Sequence, residues 1–230
     1  EFFMQKEKSI SFLVFFMGVL VGFPALTTDT YLASFPALAN YFNASASSIQ
    51  MSLMAAMIGI ALGQLIIGPL SDQNGRKAPL VVSLIIFILT TLICIYAKSI
   101  NTFIFLRFLQ GLSCSAGMVL SRAILADTHS GSHLAKSLSI NTAILGFTPA
   151  IAPVIGGIIL TFTKWQGEFV FLLILGIIFL FLCFGLKESL PRERRTSNSA
   201  NNLLGSLVST ISNKTYLFYV LIFSFSMAVM

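Results

Sequence analysis

Charged side chains are scarce in this sequence of 230 residues. They make up 10% of the chain, whereas hydrophobic residues make up 56% and the mean hydropathy is +0.91. A typical soluble domain is about 25% charged. A chain with so few polar groups cannot cover a soluble surface, and it is too hydrophobic to be disordered. The composition excludes a soluble globular domain and predicts a protein embedded in the lipid bilayer.

Cysteine and histidine are rare as well. The three cysteines lie in three different apolar stretches, without a CxxC pair, so we expect buried thiols and no disulfide framework. His129 and His133 are four residues apart, but Asp127 is the only further ligand nearby. We therefore expect a solvated loop and no metal site. The sequence contains neither a P-loop nor a nucleophile–base set, so we expect no cofactor, no ATP-driven transport and no enzyme.

Apolar stretches fill most of the chain, and a spanning helix needs about 20 residues. A seventh stretch starts near Tyr216 and is too short to span comfortably, which suggests part of a longer protein or one cut short. We predict an all-α transmembrane bundle of six helices over 1–187, a Ser/Asn-rich linker over 188–214 and the start of a seventh helix over 215–230. The six predicted spans are 11–37, 48–70, 79–97, 102–125, 136–162 and 168–186.

Basic residues are distributed unevenly between the connections. One alternating set of loops holds two of them, Lys98 and Lys164, and the other set holds ten. Because cytoplasmic loops are enriched in Lys and Arg, the N-terminus and the loops 71–78, 126–135 and 187–214 are predicted to be cytoplasmic. The net charge of +6 follows the span edges, so we expect no nucleic-acid partner.

Two charged residues, Asp29 and Arg107, fall well inside the apolar stretches. Each costs at least about 2.5–3.5 kcal/mol on insertion scales, so such residues face a cavity or one another. A functional role is one interpretation, and a buried pair that joins two helices is the alternative. Asp29 could exchange a proton as access to it alternates, and movement of Arg107 relative to Asp29 could gate proton release.

Glycine and proline are concentrated in the fifth span. Two prolines and three glycines within twelve residues predict a bending or closing point against a neighbouring helix. The pairs Gly18/Gly22 and Gly59/Gly63 predict close helix packing instead. The residues of the fifth-span group are Gly146, Pro149, Pro153, Gly156 and Gly157.

The connection between the second and third spans is predicted to be a short loop latched by charges. Its pattern resembles motif A of the major facilitator superfamily, roughly G-x-L-[AS]-D-R-x-G-R-[KR]. The matching residues are Gly68, Leu70, Ser71, Asp72, Gly75, Arg76 and Lys77. Two further resemblances fall in the right spans: Arg107, Gln110 and Gly111 resemble motif B, and the fifth-span group resembles motif C. Residues 29–38 are similar to the D-x-Y-L-P-A-x-P segment of Bcr/CflA-type drug efflux proteins.

The resemblance covers about residues 10–195. It implies the first of two six-helix halves, each built from two inverted three-helix repeats. It implies drug/proton antiport in the bacterial inner membrane, with a central cavity, a cytoplasmic latch at motif A and a motif C helix packed on the other half. The candidate cavity residues are Asp29, Tyr31, Arg107 and Asn141. A half-transporter or scaffold without transport activity and an importer of the same fold are the alternatives, and the expected partners are lipid, protons and small molecules.

Overall fold

The protein is built from apolar helices long enough to cross a membrane. In the computed structural model, residues 2–195 and 218 are described, and the side chains from residue 12 onwards. Within this part of the chain, six helical stretches have the length and composition of membrane spans, which confirms the predicted all-α transmembrane fold. They are Phe12–Phe42, Ala46–Asn74, Lys77–Ile95, Ile100–Thr128, Gly131–Phe162 and Gln166–Phe184.

The first span is interrupted once. Helix α1 (Phe2–Asp29) passes into a 3₁₀ turn (Thr30–Ser34) and then into α2 (Phe35–Phe42), which has a proline in its first turn. Hydroxyl groups occupy the junction, and Thr30 Oγ1 donates to Leu26 O at 2.7 Å. Such back-bonding compensates carbonyl groups where the α-helical pattern ends. The interruption places Asp29 at the C-terminal end of α1.

The remaining helices are α3 (Ala46–Asn74), α4 (Lys77–Ile95), α5 (Ile100–Thr128), α6 (Gly131–Phe162) and α7 (Gln166–Phe184). Three of them, α3, α5 and α6, extend further than the apolar stretches predict, whereas α4 and α7 begin and end two residues earlier than predicted. The predicted loops 71–78 and 126–135 are therefore wrong in extent: the motif A residues up to Asn74 are helical, and only His129 and Ser130 separate α5 from α6. Polar residues continue these helices beyond the apolar core, so hydropathy alone ends them too early.

The six membrane spans form two related sets of three, and the contacts between the two sets correspond to one another. Helix α5 packs along α3, and α1 packs in the corresponding way along α6. Helix α4 lies against α5 and α7. The arrangement agrees with two inverted repeats, α1 to α4 and α5 to α7.

Glycines form the two corresponding helix contacts. A Cβ atom at Gly18 or Gly22 would overlap the side chain of Ile144 or Thr148 of α6, whereas Cβ atoms at the second glycine pair of α3 would overlap α5. The predicted packing role of both pairs is confirmed. These contacts explain why small residues recur every four positions on α1 and α3. The second pair is Gly59 and Gly63.

Contacts between Cα atoms divide the chain into two units, residues 1–195 and 196–230. The predicted seventh helix, and the predicted linker from residue 196 onwards, lie outside the described residues. The first eight residues of that linker, 188–195, belong to the first unit and include a short 3₁₀ turn, Arg192–Arg194.

Candidate functional site

The first candidate region surrounds Arg107, in the N-terminal third of α5. Its side chain is fully buried, and its Nη1 donates to Oε1 of Gln110 on the next turn. Its Nη2 donates to the backbone carbonyl of Thr27 at 3.0 Å, and its Cζ lies 4.1 Å from the ring centroid of Tyr31. The guanidinium therefore joins α5 to the end of α1 through one hydrogen bond and to the 3₁₀ turn through one cation–π contact.

The network continues from Arg107 into two further helices. Gln110 Nε2 donates to Thr91 Oγ1 of α4 at 2.7 Å, and Thr91 in turn donates to Phe87 O. The hydroxyls of Tyr31 and Ser52 of α3 lie 3.2 Å apart. Gly111, the third motif B residue, lies against the backbone of Ala56, where a Cβ atom would overlap. The motif B residues thus connect α5 to four other elements, which are α1, the 3₁₀ turn, α3 and α4.

Asp29 lies close to this network without pairing with Arg107. Its carboxylate is partly exposed and accepts a hydrogen bond from Thr28 Oγ1 at 2.8 Å. Among the described residues, the salt bridges are those of Arg76 and Arg195, so the buried Asp29–Arg107 pair of the alternative interpretation is absent there. Arg107 reaches α1 through the backbone of Thr27, an acceptor that no sequence pattern identifies.

Asn141 lies apart from this cluster. It is fully buried on α6, and its Nδ2 donates to Met17 O of α1 at 3.0 Å. Met17 and Thr27 are ten residues apart, which is about 15 Å along a helix. Of the four candidate cavity residues, Arg107, Tyr31 and Asn141 are buried between helices in this conformation, and Asp29 alone is partly exposed.

Glu168 is an ionisable group that the sequence analysis overlooked. It lies in the first turn of α7, it is fully buried, and its two carboxylate oxygens have no hydrogen-bond partner. Ser34 lies beside this carboxylate, outside hydrogen-bonding geometry, and the charge of Arg107 acts on it. An acidic residue at the edge of an apolar stretch is typical of a helix N-terminus at the membrane surface. The sequence therefore does not indicate that Glu168 is buried.

The second candidate region is a charge cluster where α3, α4 and α5 meet. Arg76 forms an ion pair with Asp72, and its Nε donates to Asp127 at 2.9 Å. Its Nη1 also donates to Ser71 Oγ at 2.7 Å. The predicted charge latch is present, and Asp127 on α5 adds an acidic partner that motif A does not contain.

The segment after α7 completes this cluster. The Glu188 carboxylate accepts hydrogen bonds from the backbone N–H groups of Arg76 at 2.8 Å and Lys77 at 3.2 Å, where α4 begins. Burial raises the pKa of Glu188, but the N–H groups of Arg76, Leu190 and Lys77 and the charge of Arg195 outweigh this effect and lower the pKa below its ordinary value. The carboxylate thus fastens the end of the six-helix unit to the start of α4.

Glycine is required at the turn of this cluster. Gly75 ends α3 with φ at +87°, a backbone conformation that side chains with a Cβ rarely adopt. A Cβ atom there would also meet the Glu188 carboxylate. Lys77 Nζ donates to the carbonyls of Phe184 and Leu186 at the end of α7, at 2.8 and 2.7 Å. Gly68, by contrast, lies within α3.

The motif C residues lie on one continuous helix, α6, which includes Pro149 and Pro153. Gly156 packs against the backbone of Thr30 so closely that a Cβ atom would overlap the carbonyl group. Among the described residues, Cβ atoms at Gly146 and Gly157 would meet no atom of another element within 4 Å. Within this group, Gly156 contacts the 3₁₀ turn, whereas Gly146 and Gly157 do not.

Comparison with known proteins gives a consistent result. Residues 10–230 match the family model of the Major Facilitator Superfamily. The chain is 39% identical over 216 residues to the MFS-type transporter YdgK of Bacillus subtilis, covering 93% of this chain and 54% of that protein. It is 32% identical over 224 residues to a bicyclomycin resistance protein homolog of Haemophilus influenzae, covering 97% and 56%. It is also 32% identical over 219 residues to the multidrug resistance protein MdtL of Escherichia coli O157:H7, covering 95% and 55%.

Solved structures resemble the fold at low sequence identity. The proton:xylose symporter XylE superposes with a TM-score of 0.67 at 18% identity, covering 84% of this chain and 49% of XylE. The human organic anion transporter MFSD10 superposes with a TM-score of 0.62 at 20% identity, covering 86% and 52%. The chain spans about half the length of the curated relatives that it matches. It is a multi-pass membrane protein, and it belongs to the Major Facilitator Superfamily.

Proposed function

We propose that the chain forms the N-terminal half of a proton-coupled exporter of small drugs or hydrophobic metabolites in the bacterial inner membrane. In this proposal Asp29 carries the proton, and Arg107 responds to the charge of Asp29. The names of the bicyclomycin and multidrug resistance relatives support the substrate class. The observation that carries the proposal is the hydrogen bond from buried Arg107 to Thr27 O, two residues before Asp29.

This hydrogen bond gives a physical route from protonation to movement. Arg107 is held by neutral acceptors, so a negative charge that appears on Asp29 competes for the guanidinium. Protonation of Asp29 removes that competition. Because Gln110 bonds to Thr91 of α4, a shift of Arg107 acts on α1, α4 and α5 together. A proton can drive alternating access only if it binds the two arrangements of the helices with different affinity, and this coupling offers a route to such a difference.

The charge cluster around Arg76 has the chemistry of a latch at one membrane face. It joins the ends of α3, α4, α5 and α7 through ion pairs and hydrogen bonds. The ten-to-two distribution of basic residues supports the cytoplasmic face for this end. We assign motif A, with Gly68, Asp72, Gly75, Arg76 and Lys77, to the cytoplasmic gate.

Helix α6 is the proposed contact of this half with the other six-helix half. Several of its large side chains are exposed, including Phe147 at 68% and Val154 at 59%. A Cβ at Gly146 or Gly157 would meet no other helix in the described part of the chain, so these positions leave room for the close approach of another helix. The whole transporter would have its substrate cavity between the two halves.

The proposal is tested in the full-length gene product in everted membrane vesicles. Ethidium serves as the transported probe, and a pH gradient is imposed across the membrane. The wild type should move ethidium in a gradient-dependent manner, and Asp29→Asn should lose this dependence at least tenfold. Glu193→Gln, which removes an exposed carboxylate, is the matched control and should transport like the wild type.

Three results would contradict the proposal. Unchanged proton-driven flux in Asp29→Asn would exclude Asp29 as the coupling group. Ethidium movement in the direction opposite to export would indicate an importer of the same fold. Correct membrane insertion with no flux of ethidium under any gradient would indicate a half-transporter or scaffold.

A further inference from the structure

The region around Glu168 contains polar atoms whose hydrogen-bonding capacity is unused. Neither oxygen of the fully buried Glu168 carboxylate has a hydrogen-bond partner, and neither has the adjacent Ser34 hydroxyl. The same holds for Arg107 Nε and Trp165 Nε1. Buried polar groups are nearly always hydrogen-bonded, so several such groups together indicate a site whose occupant or partner changes.

The surroundings of Glu168 do not stabilise a negative charge well. Phe169 follows it in the chain, and the Phe169 ring packs on Tyr31, Phe103 and Trp165 with centroids 5.5–6.2 Å apart. Desolvated carboxylates without hydrogen bonds are strongly disfavoured, and such groups become neutral instead. A protonated carboxyl carries no charge and has nearly the same volume as a carboxylate. It therefore fits the fully buried position of Glu168.

Arg107 is the cation that faces this carboxyl. Its guanidinium is bonded to Gln110 and Thr27, and its Cζ lies 5.8 Å from the ring centroid of Phe169. The charge of Arg107 also acts on the buried thiols of Cys94 on α4 and Cys114 on α5. Further titratable groups near this cluster are the phenol of Tyr31 on the 3₁₀ turn and the partly exposed carboxyl of Asp29 at the end of α1. Tyr41 of α2 packs edge-on against Trp165, one turn before Glu168.

We propose that Glu168 is a second proton-binding carboxyl of this half, separate from Asp29, and that it holds its proton in the conformation described. On binding, one O–H bond forms at the carboxylate and one hydronium ion of the adjoining water becomes a water molecule. On release, the proton returns to water, and the carboxylate gains the charge of Arg107 as its partner. The proposal rests on the proposed proton coupling for its role in transport, but not for its protonation state.

Infrared titration of the purified full-length protein tests the protonation state without any substrate. A protonated buried carboxyl has a C=O absorption that is distinct from that of a carboxylate and shifts in D₂O. We expect one such absorption at neutral pH in the wild type, in Asp29→Asn and in the control Glu193→Gln. Glu168→Gln should lack it.

Transport provides the second readout. With ethidium in everted vesicles, Glu168→Gln should reduce the number of protons moved per ethidium by about one relative to the wild type, whereas Glu193→Gln should not. An infrared spectrum of Glu168→Gln identical to that of the wild type would overturn the proposal. If Glu168→Gln does not fold, Glu168→Asp replaces it: a displaced absorption supports the proposal, and an unchanged spectrum overturns it.

The two proposals fail separately. If the wild type shows no proton-driven ethidium flux but the neutral-pH absorption disappears in Glu168→Gln, proton coupling is wrong and the protonation of Glu168 stands. If flux depends on Asp29 and the absorption is insensitive to Glu168, proton coupling stands and the second carboxyl is wrong.

Discussion

Arg107 is a buried cation whose described hydrogen bonds go to neutral groups. A carbonyl oxygen, an amide oxygen and the face of Tyr31 surround its guanidinium. Arginine suits this site because its planar fork donates in two directions and stacks on an aromatic ring at the same time. Neutral acceptors hold it less tightly than a carboxylate would. The charge is therefore positioned without a carboxylate partner among the described residues, as the proposed roles of Asp29 and Glu168 require.

Glu188 gives a residue-scale prediction about stability and pH. Its pKa is lower in the folded state than the ordinary value of 4.5, so its stabilising effect is full above that value. The effect is lost as the pH falls through the folded-state pKa. At pH 7 we expect Glu188→Gln to be less stable by about 0.3–1 kcal/mol, typical of an anion at a helix N-terminus. Thermal unfolding of the full-length protein in detergent measures the difference.

The difference between the wild type and Glu188→Gln should shrink as the pH falls below 4.5, and it should vanish once the pH is well below the lowered folded-state pKa of Glu188, where the carboxyl is protonated in both states. Glu193→Gln, which changes an exposed carboxylate of the same segment, should unfold like the wild type at pH 7. A difference between wild type and Glu188→Gln that stays constant down to low pH would show that the charge of Glu188 is not what stabilises the turn.

At the scale of the element, two adjacent glycines of α6 should differ in their tolerance of a methyl group. Gly156 packs against the backbone of Thr30, which cannot move as a flexible side chain can. Gly156→Ala should therefore cost about 1–3 kcal/mol of stability through overpacking. A Cβ at Gly157 meets no atom within 4 Å, and alanine is the better helix former. Gly157→Ala should match or exceed the wild type in thermal unfolding.

One result would contradict the prediction for Gly156 and Gly157. Equal unfolding temperatures for Gly156→Ala and Gly157→Ala would mean that α6 does not press on the 3₁₀ turn in solution. Transport adds a distinction: Gly157→Ala can affect flux through the contact with the other half, without affecting the unfolding of this one.

The sequence predicts the helices of this protein better than their contacts. Runs of apolar residues identify the six spans, and the four-residue spacing of Gly18 and Gly22 identifies the contact with α6. The ends of α3 and α5 are not predictable in this way, because polar residues such as Asp72 and Asp127 continue a helix beyond the bilayer. The acceptor at Thr27 is a backbone carbonyl, which every residue has. The burial of Glu168 depends on how α7 meets the first span, and hydropathy does not describe that.

At the scale of the molecule, α3 and α6 are the most exposed of the described spans. Buried residues make up 22% and 17% of their most apolar windows, against 61% for α5. These two helices occupy corresponding positions in the two repeats. Each repeat therefore exposes a large apolar surface on its second membrane span. In a membrane, an apolar face of this kind meets lipid or another helix bundle. The half-length match to its relatives makes the second six-helix half the proposed neighbour.

Membrane orientation is the final prediction at this scale. The ten-to-two asymmetry of basic residues places the turn at His129–Ser130 in the cytoplasm and the start of α3 outside. Ser47 and Ser130 are both exposed, and the three native cysteines are buried, so single cysteines at these positions report orientation against a low background. With a membrane-impermeant maleimide, Ser47→Cys should be labelled in intact cells. Ser130→Cys should be labelled at least several-fold more after permeabilisation, and the reverse pattern would invert the assignment of motif A to the cytoplasmic gate.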